Sequence, residues 1–254
     1  MITGIDHIAI TVEDVAEAGS DYAMMLGRQT QELAGGARRL QLDNAGIVLD
    51  AAPKAAERRE GAVGLRLVLE VPDLGAAMHR LERRGLTGTL DQDASVYALD
   101  TATTHGVAIG VAKARDNSGK DAGADIAGLD HVVVRTGDPE RAVALYGGRL
   151  GLDLRLDRTN PEHGNRLLFF VCGGLVVEIS HDTRRGVRAG PDRIFGLAWR
   201  ANDIERAHVR MSAEGIDVSE IRTGRRPGTR VFTVRNRTAG VPTLVIGGDG
   251  LERK

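Results

Sequence analysis

At 254 residues, 42% apolar and 27% charged, the chain is long enough for one or two domains with substantial cores. A formal net charge of -1 and an aromatic content of 3% exclude a general affinity for nucleic acid or acidic membranes, which needs a clear basic excess or stacking platforms. A single cysteine, Cys172, excludes an internal disulfide and a Cys-rich zinc site.

The opening MITGIDHIAI has neither the basic start nor the long apolar stretch of a secretory signal. No apolar run approaches the roughly 20 residues of a membrane helix, so a cytoplasmic setting is expected. The first predicted strand, HIAITVEDVAEA from His7, runs into Asp14 as a helix N-cap, and Glu17 completes a capping-box pattern. The helix ends at Gly27, and ARRLQLD and GIVLD follow as strands.

The same order returns three times. RLVLEVPDLGAA from Arg66 carries the cap Asp73 and stops at Gly85, with SVYALD and GVAIGVA beyond. HVVVRTGDPERA from His131 carries Asp138, has Pro139 at the first helical position and stops at Gly151, before LDLRLD, RLLFFVC and LVVEIS. GLAWRANDIERA from Gly196 carries Asp203 and stops at Gly215, before IDVSEIR, TRVFTVR and PTLVIG. The Asp-to-Gly separations are 13, 12, 13 and 12, the signature of a two-module unit that was later duplicated. Each module reads as strand, helix, then three strands. RDNSGKDAGAD at 115–125 reads as the linker between halves, and AAPKAAERREG at 51–61 as a lesser link between the first two modules.

The segments GIDHIAITVEDV and GLDHVVVRTGDPERAVALYGGRLGLDL resemble the opening strand and helix of the vicinal-oxygen-chelate superfamily of glyoxalase, bleomycin-resistance and extradiol-dioxygenase proteins. The resemblance implies an α+β fold of four βαβββ modules in two paired-module domains, 1–114 and 126–250, with curled mixed sheets. It implies a divalent metal (Fe, Mn, Zn or Ni) held by a His of the first strand and a Glu of the last strand of paired modules. His131 and Glu178 occupy those places in the third module, and His7 and Asp50 in the first. The even modules have Arg66 with Gly110 and Gly196 with Leu244 there, so each pair of modules offers two metal ligands where a mononuclear site usually takes three.

Because the superfamily hosts many reactions, function rests on the site. The leading expectation is an enzyme acting on a small oxygenated metabolite as lyase, isomerase or dioxygenase, with any metal completed by water or substrate. The alternative is a non-catalytic small-molecule binder with a degenerate metal site. His131 and Glu178 are equally open to a catalytic acid–base role or to a structural one. Arg200 and Arg230 are candidates for holding a substrate carboxylate or phosphate, although a solvated basic loop accounts for Arg222–Arg237 as well. His181 is a candidate at the rim, and His163 at the mouth, of the third-module cup. A small-molecule ligand is expected, a homodimer is compatible, and nucleic acid and membrane are not expected.

Overall fold

The computed structural model describes residues 2–52, 64–115 and 123–249. Both predicted links fall largely outside the described residues.

All four modules take the strand–helix–three-strand form. The first comprises β1 (Gly4–Val12), α1 (Val15–Leu26), β2 (Thr30–Glu32), β3 (Arg38–Gln41) and β4 (Gly46–Ala51). The second comprises β5 (Gly64–Val71), α2 (Leu74–Arg83), β6 (Gly88–Leu90), β7 (Val96–Leu99) and β8 (Ala108–Lys113). The third comprises β9 (Ile126–Thr136), α3 (Pro139–Ala142), β10 (Asp153–Asn160), β11 (Asn165–Cys172) and β12 (Leu175–Asp182). The fourth comprises β13 (Arg193–Ala201), α4 (Ile204–Ala213), β14 (Arg222–Thr223), β15 (Arg230–Val234) and β16 (Thr243–Gly247).

The helix boundaries lie where local chemistry puts them. Asp14, Asp73, Asp138 and Asp203 each accept from first-turn amides through the side chain. Gly27, Gly85, Gly151 and Gly215 all have positive φ, the conformation a side chain resists. Two elements differ from expectation. The third helix passes after Ala142 into a wider π-type turn over Val143–Arg149, where Gly147 and Gly148 weaken regular helix. IDVSEIR supplies only a bridge from Val218 to Val234 before the short β14.

Two eight-stranded mixed sheets result, in the orders β2-β3-β4-β1-β5-β8-β7-β6 and β10-β11-β12-β9-β13-β16-β15-β14. Each sheet takes its strands from one half of the sequence. Compact packing groups the chain differently. One unit is Met1–His7, Arg66–Asp116 and His131–Phe195; the other is Ile8–Leu65, Asn117–Asp130 and Gly196–Lys254. The first unit therefore joins most of modules two and three, and the second most of modules one and four.

An arginine stitches the modules inside each unit. In the first, Arg149 donates to the carbonyls of Arg84 and Gly85, just past the C-terminal end of α2, and to that of Thr103 in the turn before β8. In the second, Arg210 donates to the carbonyls of Met24 and Met25 at the end of α1 and to both oxygens of Asp125. A cation at a helix C-terminus satisfies orphan carbonyls and opposes the helix dipole. Tyr22, fully buried in the second unit, donates its hydroxyl to the Thr238 carbonyl at 3.0 Å. Trp199 is a core residue, 1% exposed.

Candidate functional site

The site is built on the parallel pairing of β9 and β12, in which His131 lies opposite Val176, Val133 opposite Glu178 and Arg135 opposite Ser180. Alternation along each strand sorts the side chains. Val132, Val134 and Thr136 of β9 and Val177, Ile179 and His181 of β12 are buried on one face. His131, Val133 and Arg135, with Val176, Glu178, Ser180 and Asp182, share the other and retain access to solvent.

On that accessible face His131 Nε2 lies 3.7 Å from Glu178 Oε2, with the two side chains 17% and 18% exposed. Phe169 of β11 pairs in register with Glu178 and Val133 completes that row, while Val176 lies opposite His131. An imidazole and a carboxylate, side by side against apolar neighbours and open to a small molecule, can move a proton and stabilise the resulting imidazolium.

The other expected residues are placed as follows. His7 is buried, with Nδ1 at 2.5 Å from Oδ2 of the fully buried Asp6, which also faces Arg115 at 3.7 Å. Asp50 is exposed near the end of β4, where its side chain accepts from the Ala51 amide at 2.9 Å. Arg200 donates to Asp130 Oδ1 at 3.2 and 2.9 Å. Arg230 is exposed and pairs with Glu205. His181 is 5% exposed on the face opposite Glu178, with Nδ1 at 3.3 Å from the Thr136 carbonyl. Cys172 is buried, and burial pushes its thiol up to about 12.

Of the four expected metal ligands, His131 and Glu178 come together as a pair, so an ion there would have two protein ligands. Among the described residues, no group of three or more His, Cys, Asp or Glu side chains comes together as a metal-holding set. The glycines at the even-module positions are closely packed against their own neighbours. A Cβ on Gly196 would lie 2.5 Å from the Pro242 carbonyl oxygen, and one on Gly110 would lie 2.8 Å from Val96 Cγ1. Leu244 packs on Val231 and Ile246.

Sequence reasoning placed His163 at a cup mouth but missed the arginines that lie further along the same face. A cleft of about 580 Å³ is lined by Arg135, Arg184, Arg185, Arg188, Arg193 and His163. Its floor includes Ser180, Asp182 and Asn165. A signal was present in TRRGVRAGPDR at 183–193, which holds four arginines in eleven residues, but nothing local joins that loop to β9 or to the turn around His163.

A family model described as Glyoxalase/Bleomycin resistance protein/Dioxygenase superfamily matches residues 128–241. No curated protein matches the chain. Among solved structures, the chain is similar to a mutant of 4-hydroxymandelate synthase from Streptomyces coelicolor, with 14% identity and a TM-score of 0.76 over 100% of this chain and 94% of that one. It is also similar to 2,2',3-trihydroxybiphenyl 1,2-dioxygenase from Sphingomonas wittichii, with 18% identity and a TM-score of 0.72 over 98% of this chain and 91% of that one. A halotolerant catechol dioxygenase gives 16% identity and a TM-score of 0.70, over 100% and 91%. At such identities the likeness bears on fold.

Proposed function

We propose that this chain, whose residues 128–241 match the glyoxalase/bleomycin resistance protein/dioxygenase superfamily model, acts on a small oxygenated metabolite at the module-three face, with His131 and Glu178 as an acid–base pair in its isomerisation or cleavage. The observation that carries this reading is the 3.7 Å approach of the two groups on an accessible, partly apolar face. His131 takes a proton from a carbon beside a carbonyl. Glu178 holds the imidazolium by charge and returns the ring to its starting orientation as the proton is delivered back. Positioned acid–base groups of this kind contribute on the order of 10²–10⁴ in rate.

A divalent ion bound here would take one nitrogen from His131 and one oxygen from Glu178, with water and substrate completing its shell. Elemental analysis of untagged protein, with and without His131→Ala, measures that directly. Proton chemistry is tested by NMR in D₂O on a panel of 2-oxo acids and 2-hydroxy ketones. Exchange of the activated C–H by the native chain, reduced at least about a hundredfold in His131→Ala and Glu178→Gln, is the expected outcome. Exchange by native protein that survives both substitutions sinks the acid–base role.

A second reading, a non-catalytic small-molecule binder, is favoured by the short ligand set: among the described residues no third His, Cys, Asp or Glu joins His131 and Glu178. In that case saturable ligand binding occurs with no C–H exchange and no bound metal.

A further inference from the structure

We infer that the arginine-lined cleft at the end of the β9/β12 face binds the anionic portion of the ligand, a group or pair of groups carrying at least two negative charges on phosphate or carboxylate oxygens. The inference rests on the proposed use of the same face by His131 and Glu178, and adds the class of molecule that fits it.

The charge count is lopsided for a chain whose formal net charge is only -1. Five guanidinium groups line the cleft against one carboxylate, Asp182. That carboxylate is already engaged, with Oδ1 accepting from the Arg184 amide at 3.1 Å and Oδ2 lying 3.3 Å from Arg185 Nε. Among the described residues, Arg135, Arg188 and Arg193 have no carboxylate within 4.0 Å. Elsewhere the protein pairs its arginines closely, as at Arg166 with Asp157 and Glu140, and at Arg141 with Asp192. Unneutralised like charges around one cleft are held apart only at a cost, and an anion of matching charge removes it.

The cleft is built rather than a loose gathering of side chains. The Arg135 guanidinium carbon sits 3.3 Å from the Phe195 ring centroid, a stacked cation with its edge free to donate. The loop that brings the other arginines is tied down along its length. Thr183 N donates to Gly164 O at 3.0 Å, Arg184 Nη2 to Glu162 O at 3.2 Å, and Arg188 N to Gly137 O at 3.0 Å. Gly137 and Gly164 permit this closeness, since a Cβ at either would strike Arg188 O or the Arg184 side chain. Planar, fixed guanidinium groups recognise phosphate and carboxylate in pairs.

The strand geometry sets the length of the ligand. Arg135 and Ser180 form the row two residues beyond Glu178, and Arg135 lies four beyond His131. At about 3.3 Å per residue, the anionic end lies roughly 7–13 Å from the acid–base pair along the strands. A molecule with its oxygenated reacting centre at one end and an anionic group several bonds away spans the two. A fully neutral metabolite does not use the cleft.

Isothermal titration calorimetry with inorganic pyrophosphate and with succinate tests this on the full chain. Saturable one-site binding of either is expected, weakening steeply between about 0.05 and 0.3 M salt. Tighter pyrophosphate identifies phosphate as the anionic group, and tighter succinate a dicarboxylate. Arg135→Gln and Arg193→Gln should each weaken the better probe at least about tenfold, with Arg188→Gln as a third variant should one of these fold poorly. Arg155→Gln, whose partner Asp153 lies outside the cleft, should leave binding unchanged. Absence of binding by the native chain, or equal binding by the three cleft variants, overturns the inference. His131→Ala should bind both probes as the native chain does. Anion binding thus stands or falls separately from the acid–base role, which C–H exchange reports.

Discussion

Single residues decide what the backbone around them tolerates. Gly196 stands where module three has His131, and its hydrogen faces the Pro242 carbonyl closely enough to exclude a methyl group. Gly196→Ala is expected to lower the unfolding free energy by about 1–3 kcal/mol, read by urea denaturation, because the strand must shift to relieve the overlap. An unchanged midpoint would show that the position tolerates a side chain. His105 offers a test by pH. Burial, followed by the nearby Arg141 guanidinium, holds its imidazole below the ordinary value of 6.5. Between that lowered value and 6.5 the unfolded chain binds a proton that the folded chain does not, so stability falls as pH drops through this window and levels off below it. His105 also has a φ of 57°. His105→Asn keeps the left-handed backbone that Asn tolerates and removes the titration, so its melting temperature should lose this part of the pH dependence. A pH profile identical to that of the native chain would remove His105 from the account.

At the scale of elements, an arginine closing the end of a neighbouring helix is repeated in both compact units. Arg210 makes the stronger case, because it meets two carbonyls of α1 and a carboxylate, Asp125, whose side chain is 6% exposed. Arg210→Ala should cost about 2–4 kcal/mol, measured by chemical denaturation, since it orphans a buried carboxylate as well as the helix end. A loss within the ±0.5 kcal/mol typical of surface positions would show that water replaces it fully. Elements were also where the sequence spoke most clearly. The Asp caps and Gly stops of all four helices depend on side chains within a few residues, and each was readable before any fold was known. The break of the third helix into a π-type turn was foreshadowed only by Gly147 and Gly148. His131 and Glu178 were brought together by the family resemblance, which puts such residues on the first and last strands of a module; the structure pairs those strands in parallel. Arg135 and the 183–193 loop were not, because the cleft joins three stretches that share no periodicity. His181 sits one residue from the accessible row, and in a strand one residue is the difference between the two faces.

For the whole molecule, the four-fold repeat gave the architecture, and strand order follows it within each half. What the repeat could not disclose is which modules pack together, since all four present similar apolar faces and similar helices. The choice made by the chain groups one with four and two with three. This grouping bears on how the protein is made. Residues 8–65 are made well before residues 196–254, yet both belong to one compact unit. The earliest strands thus meet their sheet partners within their own half of the chain, whereas the packing of their compact unit is a long-range closure that waits for the fourth module, a contact pattern that slows folding.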